Sequence, residues 1–94
     1  MRLSSKEVDL IKSTVERIFQ NPRIYLFGSR TDDRKAGGDI DLFIISDDKT
    51  ALLEKKIKAV SKLERILHKP VDIVIHRDFS KNIEQEAIQK GILL

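Results

Sequence analysis

The stretch Leu26–Ile45 decides the fold of this chain, and it reads LFGSRTDDRKAGGDIDLFII. A turn-forming pair, Gly28 and Ser29, follows one apolar run, and Asp39 and Asp41 open the next. Because the side chains of a strand alternate between its two faces, these carboxylates are predicted to point the same way, a few ångströms apart. The stretch therefore predicts two strands joined by a polar loop, with paired acids at the start of the second.

The paired acids Asp39 and Asp41 indicate a metal site. Taken alone, such a pair is also typical of a solvated strand entry, where polar residues are common. Neighbouring carboxylates repel each other unless a cation lies between them, and their oxygens suit Mg²⁺ or Mn²⁺. Since Mg²⁺ commonly completes its coordination with substrate phosphates, the pair predicts a phosphate-bearing substrate.

A third carboxylate, Asp72, lies in the short β-branched run Val71–Ile75. Alternation places Asp72 and Val74 on the same face of that predicted strand. If this strand lies beside the strand 39–45, three carboxylates converge. Such a set can hold two metals roughly 3.5–4 Å apart, the spacing used in nucleotidyl transfer.

The turn before the first acid fits phosphate binding. Gly28 permits close approach of the backbone to a ligand, Ser29 adds a hydroxyl, and Arg30 adds a planar cation. Arg30 could equally form a surface pair with a nearby aspartate. No Gly-Lys-Ser/Thr follows, and Gly37-Gly38 does not complete a dinucleotide fingerprint, so P-loop and Rossmann sites are excluded.

These motifs in this order resemble the nucleotidyltransferase superfamily that includes DNA polymerase beta, and most closely its minimal nucleotidyltransferases (MNT). The resemblance covers nearly the whole chain. It implies that the pair Gly28-Ser29 binds nucleotide phosphates and that Asp39 and Asp41 bind two Mg²⁺ ions. It also implies that Asp72 ligates one metal and helps to deprotonate the acceptor.

The resemblance further implies transfer of a nucleoside monophosphate, AMP from ATP, to a hydroxyl acceptor. Proteins of this kind are often encoded beside a small helical HEPN protein. The implied role is an antitoxin that adenylylates a tyrosine of its HEPN toxin. Two alternatives stay open: a catalytically silent module that neutralises its partner by contact, and a transferase that acts on nucleic acid.

Composition sets the remaining bounds. With 94 residues, the chain is expected to form a single nucleotidyltransferase domain over residues 1–94. It has no Cys, no apolar segment long enough to span a bilayer and no signal peptide, so a cytoplasmic protein without membrane contact is expected. A charged fraction of 35% with a net charge of +3 favours a solvated surface over a nucleic-acid binder. His68 and His76 lack metal-ligand spacing and are predicted to be solvated.

Hydrophobic periodicity predicts an α/β (α+β) fold, a small mixed sheet of about three or four strands with helices packed on one face. The resemblance implies that this fold is the polymerase beta-like nucleotidyltransferase core. Ser4 and Glu7 form a predicted capping box at the first helix. Gly91 is the predicted stop of the last. Helices are expected over residues 5–20, 49–67 and 80–90, and strands over 23–27, 39–45 and 71–75.

The second helix and the second strand each carry a prediction about burial. The helix is expected to bury Leu53, Ile57, Val60, Leu63 and Leu67. In the strand, alternation puts Phe43 and Ile45 on the face of the paired acids. Because large apolar patches are rarely left exposed, that face is predicted to be covered by another chain, either a second copy or a helical partner.

Overall fold

The computed structural model describes residues 3–28, 40–77 and 82–94 of the chain. Within these ranges the helices are α1 (Ser5–Ile18), α2 (Leu52–Leu67) and α3 (Asn82–Lys90), and the strands are β1 (Arg23–Phe27), β2 (Ile40–Ile45), β3 (Val71–Ile75) and β4 (Ile92–Leu93). The strands form one sheet in the order β3-β2-β1-β4. β2 and β3 are parallel, and the other neighbours are antiparallel. The predicted mixed α/β fold is confirmed, and none of the described helices has the length and apolar character that a bilayer crossing needs.

Helix α1 begins at the predicted capping box. The Glu7 N–H donates to Ser4 Oγ and the Ser4 N–H donates to Glu7 Oε1, each at 3.1 Å, so two N-terminal donors are satisfied. The Lys69 ammonium also donates to Glu7 at 2.7 Å and lowers the pKa of that carboxyl. The helix ends at Ile18, two residues before its predicted end, because extended backbone at Phe19 turns that ring into the core.

The segment before α2 is a turn built on Asp48. The Thr50 N–H and hydroxyl donate to Asp48 Oδ1 at 2.9 and 2.7 Å, and the Lys55 ammonium lies 3.2 Å from Oδ2. These contacts, the Thr50 N–H foremost, lower the pKa of Asp48 to about 2 from an ordinary 3.8. Helix α2 therefore starts only at Leu52, after left-handed backbone at Ala51.

Removing the Thr50 hydroxyl should raise the pKa of Asp48. In Thr50→Val the backbone N–H still donates, so NMR titration of the Asp48 carboxyl should give a value between about 2 and 3.8. Because the folded-state pKa is the lower one, this turn stabilises the fold above about pH 4, and the contribution is lost as the pH falls toward 2. As the pH falls through that range, the free energy of unfolding of Thr50→Val should decrease less than that of the wild type. An unchanged pKa would contradict the assigned cause.

The buried face of α2 differs from the predicted one. Ala59, Leu63 and Leu67 are buried as the helix packs on α1 and β3, whereas Leu53 and Ile57 are 63% and 60% exposed. The apolar stripe in the sequence is wider than the face that its neighbours cover. The predicted burial of Leu53 and Ile57 is therefore wrong.

The sheet separates two apolar clusters. Ile40, Leu42 and Ile44 of β2 pack toward the larger cluster, which α1 and α2 complete. Phe43 and Ile45 face the other way and pack with Ala87 and Ile88 of α3. The prediction of helices on one face thus holds for α1 and α2, while α3 covers the opposite face. Phe43 is 0% exposed within a single chain, so the predicted burial of this face by another chain is wrong.

Strand β4 was outside the elements predicted from the pattern. It pairs with β1, and the Leu94 N–H donates to the Ile24 carbonyl at 2.8 Å. Gly91 ends α3, as predicted, and permits this pairing because a side chain there would meet the Ala87 carbonyl and lie 3.1 Å from that of Leu26. The chain therefore returns to the sheet directly after α3.

Candidate active site

Two of the three predicted metal ligands are neighbours in the sheet. In the parallel pair β2–β3, Asp41 and Asp72 are register partners. Both alternate with residues that pack toward α1 and α2, so their carboxylates share the opposite face, which α3 covers. Asp41 is half-buried and Asp72 is exposed. The structure therefore brings these two acids together at the start of their strands.

Gly28 lies directly against one of these acids. Its backbone has φ +79°, a left-handed conformation that side chains rarely adopt. A Cβ on Gly28 would meet Oδ2 of Asp41 and lie 3.2 Å from its Cγ. The turn after β1 and the carboxylate on β2 are thus in contact, which only glycine allows.

Three predicted site residues, Ser29, Arg30 and Asp39, lie outside the described residues. Their roles in phosphate and metal binding stay predictions. Within residues 3–28, 40–77 and 82–94, no group of three or more His, Cys, Asp or Glu side chains is placed to hold a metal. Asp41 and Asp72 are the predicted ligands that can be located.

A groove opens beside Asp72 at the outer edge of the sheet. It measures about 350 Å³, and Asp72 and Val71 of β3 face α2 residues across it, among them Lys56, Ile57 and Glu64. The Glu64 carboxylate accepts a hydrogen bond from the Val71 N–H at 3.0 Å. Sequence reasoning did not find Lys56 or Glu64 as neighbours of Asp72, because only the packing of α2 on β3 brings them there.

His76, predicted to be solvated, is instead paired. Its Nδ1 lies 2.7 Å from Oε1 of Glu84, a carboxylate that is 2% exposed. The Arg77 N–H donates to the same carboxylate at 3.2 and 3.3 Å. The His76 ring also packs edge-on against the Phe43 ring, with 6.3 Å between the two ring centroids. These contacts join α3 to the end of β3 and hold it over the face of the acids.

Replacing Gly28 should damage the site more than the fold. In Gly28→Val the branched side chain must displace the Asp41 carboxylate and adopt a strained φ. We expect the free energy of unfolding to fall by about 1–3 kcal/mol. The rise in melting temperature with AMP-PNP and Mg²⁺ should be lost.

A double-mutant cycle on stability tests the cause. Gly28→Ala should cost less in an Asp41→Ala background, where the obstructing carboxylate is gone. Additive effects would contradict the contact, and retained nucleotide-dependent stabilisation in Gly28→Val would mark the turn as structural only.

The mixed sheet, its crossover helix and the acids at the entrance of adjacent strands define a nucleotidyltransferase type of protein. The family model described as "Polymerase beta, Nucleotidyltransferase" matches residues 6–94. The chain therefore belongs to the polymerase beta nucleotidyltransferase family, as its motifs predicted. A comparison with curated proteins gave no match.

Solved structures of toxin–antitoxin complexes share this fold. One is the tri-AMPylated HEPN toxin of Shewanella oneidensis in complex with MNT antitoxin, at TM-score 0.76 and 23% identity over 97% of this chain and 71% of that one. A mutant of the MntA–HpeT toxin–antitoxin has TM-score 0.73 and 21% identity over 93% and 70%. A toxin–antitoxin with AMP-PNP has TM-score 0.70 and 22% identity over 97% and 72%. The predicted resemblance to MNT antitoxins thus extends to three-dimensional structure.

Proposed function

We propose that this chain, as a single domain over residues 1–94, transfers AMP from ATP to a hydroxyl of a HEPN toxin and thereby acts as an antitoxin. The observation that carries the proposal is the register pair Asp41 and Asp72 beside the turn at Gly28. Family membership supplies the reaction class. The AMPylated toxin in the complex from Shewanella oneidensis supports a toxin hydroxyl as acceptor.

The carboxylates fit a divalent metal. Asp41 and Asp72 supply hard oxygen ligands on one face of the sheet, and Asp39 precedes the same strand by one residue. We propose that the three hold two Mg²⁺ ions, with Mn²⁺ as an acceptable substitute. When bound, such ions neutralise phosphate charge and stabilise the leaving pyrophosphate.

The turn after β1 is the proposed phosphate site. Gly28 has no side chain to keep a phosphate from the backbone, and Ser29 and Arg30 would donate to the β- and γ-phosphates. ATP as the donor is supported by the toxin–antitoxin solved with AMP-PNP.

The proposed reaction is a displacement at the α-phosphorus of ATP. The oxygen of the acceptor tyrosine forms the new bond, and the bond to pyrophosphate breaks. Asp72 is exposed at the open edge of the sheet, so it can accept the proton that the tyrosine loses. We place this reaction in the cytoplasm, because a chain without Cys needs no oxidising compartment to form disulfides.

Labelled ATP tests the proposal directly. The chain is incubated with α-labelled ATP, Mg²⁺ and the HEPN protein encoded beside it, and label on the toxin is located by mass spectrometry. AMP on a toxin tyrosine is the expected result. Toxin neutralised without label would instead show a catalytically silent antitoxin, and label on RNA would show a nucleic-acid transferase.

A further inference from the structure

Helix α2 carries an exposed apolar ridge that the proposed reaction does not use. Leu53 and Ile57 lie one helical turn apart and are 63% and 60% exposed. Side chains with this spacing are neighbours on a helix surface, so they form one patch that we call the α2 ridge. Contiguous exposed apolar side chains mark interaction surfaces, whereas isolated ones do not.

Two shallow grooves border the α2 ridge. Ile57 and Ser61 line both of them. The groove on one side is the one beside Asp72. The groove on the other side, about 410 Å³, is lined by Lys58, Lys62 and Arg65 together with a single carboxylate, Glu54. At Ile57 the ridge therefore lies between a basic border and a predicted metal ligand.

The positive charge of the protein is concentrated in this helix. α2 contains five basic residues and two acidic ones, so its formal charge of +3 equals that of the whole chain. The remaining residues are balanced. A surface with apolar side chains at its centre and cations at its border is complementary to an amphipathic, acidic partner.

Three features favour a helix of another protein as the occupant. A second copy would place one α2 charge of +3 against another. Addition of a strand to the free edge of β3 is opposed at its start, since Glu64 already accepts from the Val71 N–H. α2 has no aromatic side chain on which a base could stack, which disfavours nucleic acid.

We propose that the α2 ridge docks an acidic amphipathic helix of the HEPN toxin and so brings the toxin to the edge of the site at Asp72. This proposal rests on the proposed function for the identity of the partner. Apolar anchors at Leu53 and Ile57 supply most of the affinity, and Lys58 and Lys62 guide association.

Binding to the HEPN protein, measured by calorimetry without ATP or metal, tests the proposal. Leu53→Glu/Ile57→Glu should weaken binding by about 100-fold, because both anchors are lost and the new charges repel an acidic helix. The matched control is Leu93→Glu on β4, a leucine that is 58% exposed at the opposite edge of the sheet, and it should bind like the wild type. Lys58→Glu/Lys62→Glu should weaken binding by about tenfold and reduce its dependence on salt.

Each outcome separates docking from catalysis. Ridge and control variants that bind equally well overturn the docking surface, even if AMP is transferred. Lost binding in the ridge variant supports the surface, even if no protein in the series transfers AMP. A wild-type chain that does not bind the HEPN protein overturns the proposal. So does a ridge variant whose loss is confined to self-association or to binding of a labelled RNA.

Circular dichroism and melting with AMP-PNP and Mg²⁺ check that the ridge variant remains folded and still binds the nucleotide. Both replaced side chains are exposed, so neither measurement should change. A ridge variant that loses helical signal is replaced by Ile57→Lys, which removes one anchor and keeps a helix-forming residue. Binding of that variant at the wild-type strength would overturn the proposal.

Discussion

Asp41→Asn is expected to reduce AMP transfer by about 10²–10³-fold or more, the range for removing one group that stabilises charge in a transition state. Asp41 lies opposite Asp72 in the sheet and against Gly28, so it connects the proposed metal and phosphate sites. Asparagine keeps the shape of the side chain and removes only the charge. The loss should therefore appear in the rate of labelled AMP transfer and not in the circular-dichroism spectrum.

The same variant should lose its thermal response to ligand. AMP-PNP with Mg²⁺ raises the melting temperature only if the complex binds the folded state, and that binding requires the carboxylate. Asp72→Asn should likewise lose the rise in melting temperature that AMP-PNP with Mg²⁺ produces. Asp9→Asn, an exposed aspartate on α1, is the control and should keep both properties. Wild-type transfer or an unchanged thermal response in Asp41→Asn would show that these acids do not form the metal site.

Phe43→Ala is expected to lower the free energy of unfolding by about 3–5 kcal/mol. Phe43 is fully buried between the sheet and α3. The centroid of its ring lies 6.2 Å from that of Tyr25 and 6.3 Å from that of His76. Removing it leaves a cavity under α3 that the surrounding side chains fill only in part. Since domains of this size are stable by about 5–15 kcal/mol, a large share of the total is at risk.

Urea unfolding monitored by circular dichroism measures the loss. Phe43→Leu should cost less than Phe43→Ala, because it retains more of the apolar contact and leaves a smaller cavity. Leu93→Ala, at an exposed site, should stay within about 0.5 kcal/mol of the wild type. The wild-type melting temperature should not depend on protein concentration, since α3 of the same chain covers Phe43. A strong concentration dependence would show that another chain completes this face.

The elements that the sequence predicted well depend on local patterns. The bounds of β1 and β3 agree with their apolar runs, and the capping box at Ser4 fixes the start of α1. The common face of Asp41 and Asp72 also follows from alternation, once the two strands are known to pair. Such patterns can be recognised in a sequence because the direction of the side chains repeats every two residues in a strand and about every 3.6 residues in a helix.

The net charge of the chain does not show which surface binds a partner. A net charge of +3 spread over 94 residues indicates little about partners. In the folded chain, α2 has that same formal charge, and it borders exposed Leu53 and Ile57. Composition averages over the chain, whereas binding depends on which charges share a surface.

The sequence by itself determined strands β1, β2 and β3, the start of α1 and the common face of Asp41 and Asp72, because each depends on residues close together in the chain. Only the tertiary structure decided which apolar stripe of α2 is buried, that α3 covers Phe43, and that Glu84 pairs with His76. The tertiary structure also produces β4. Its two residues are too few to show a periodic pattern, and they form a strand only by pairing with β1. These features depend on contacts between distant segments, and a local pattern of hydrophobicity leaves the partner of each face undetermined.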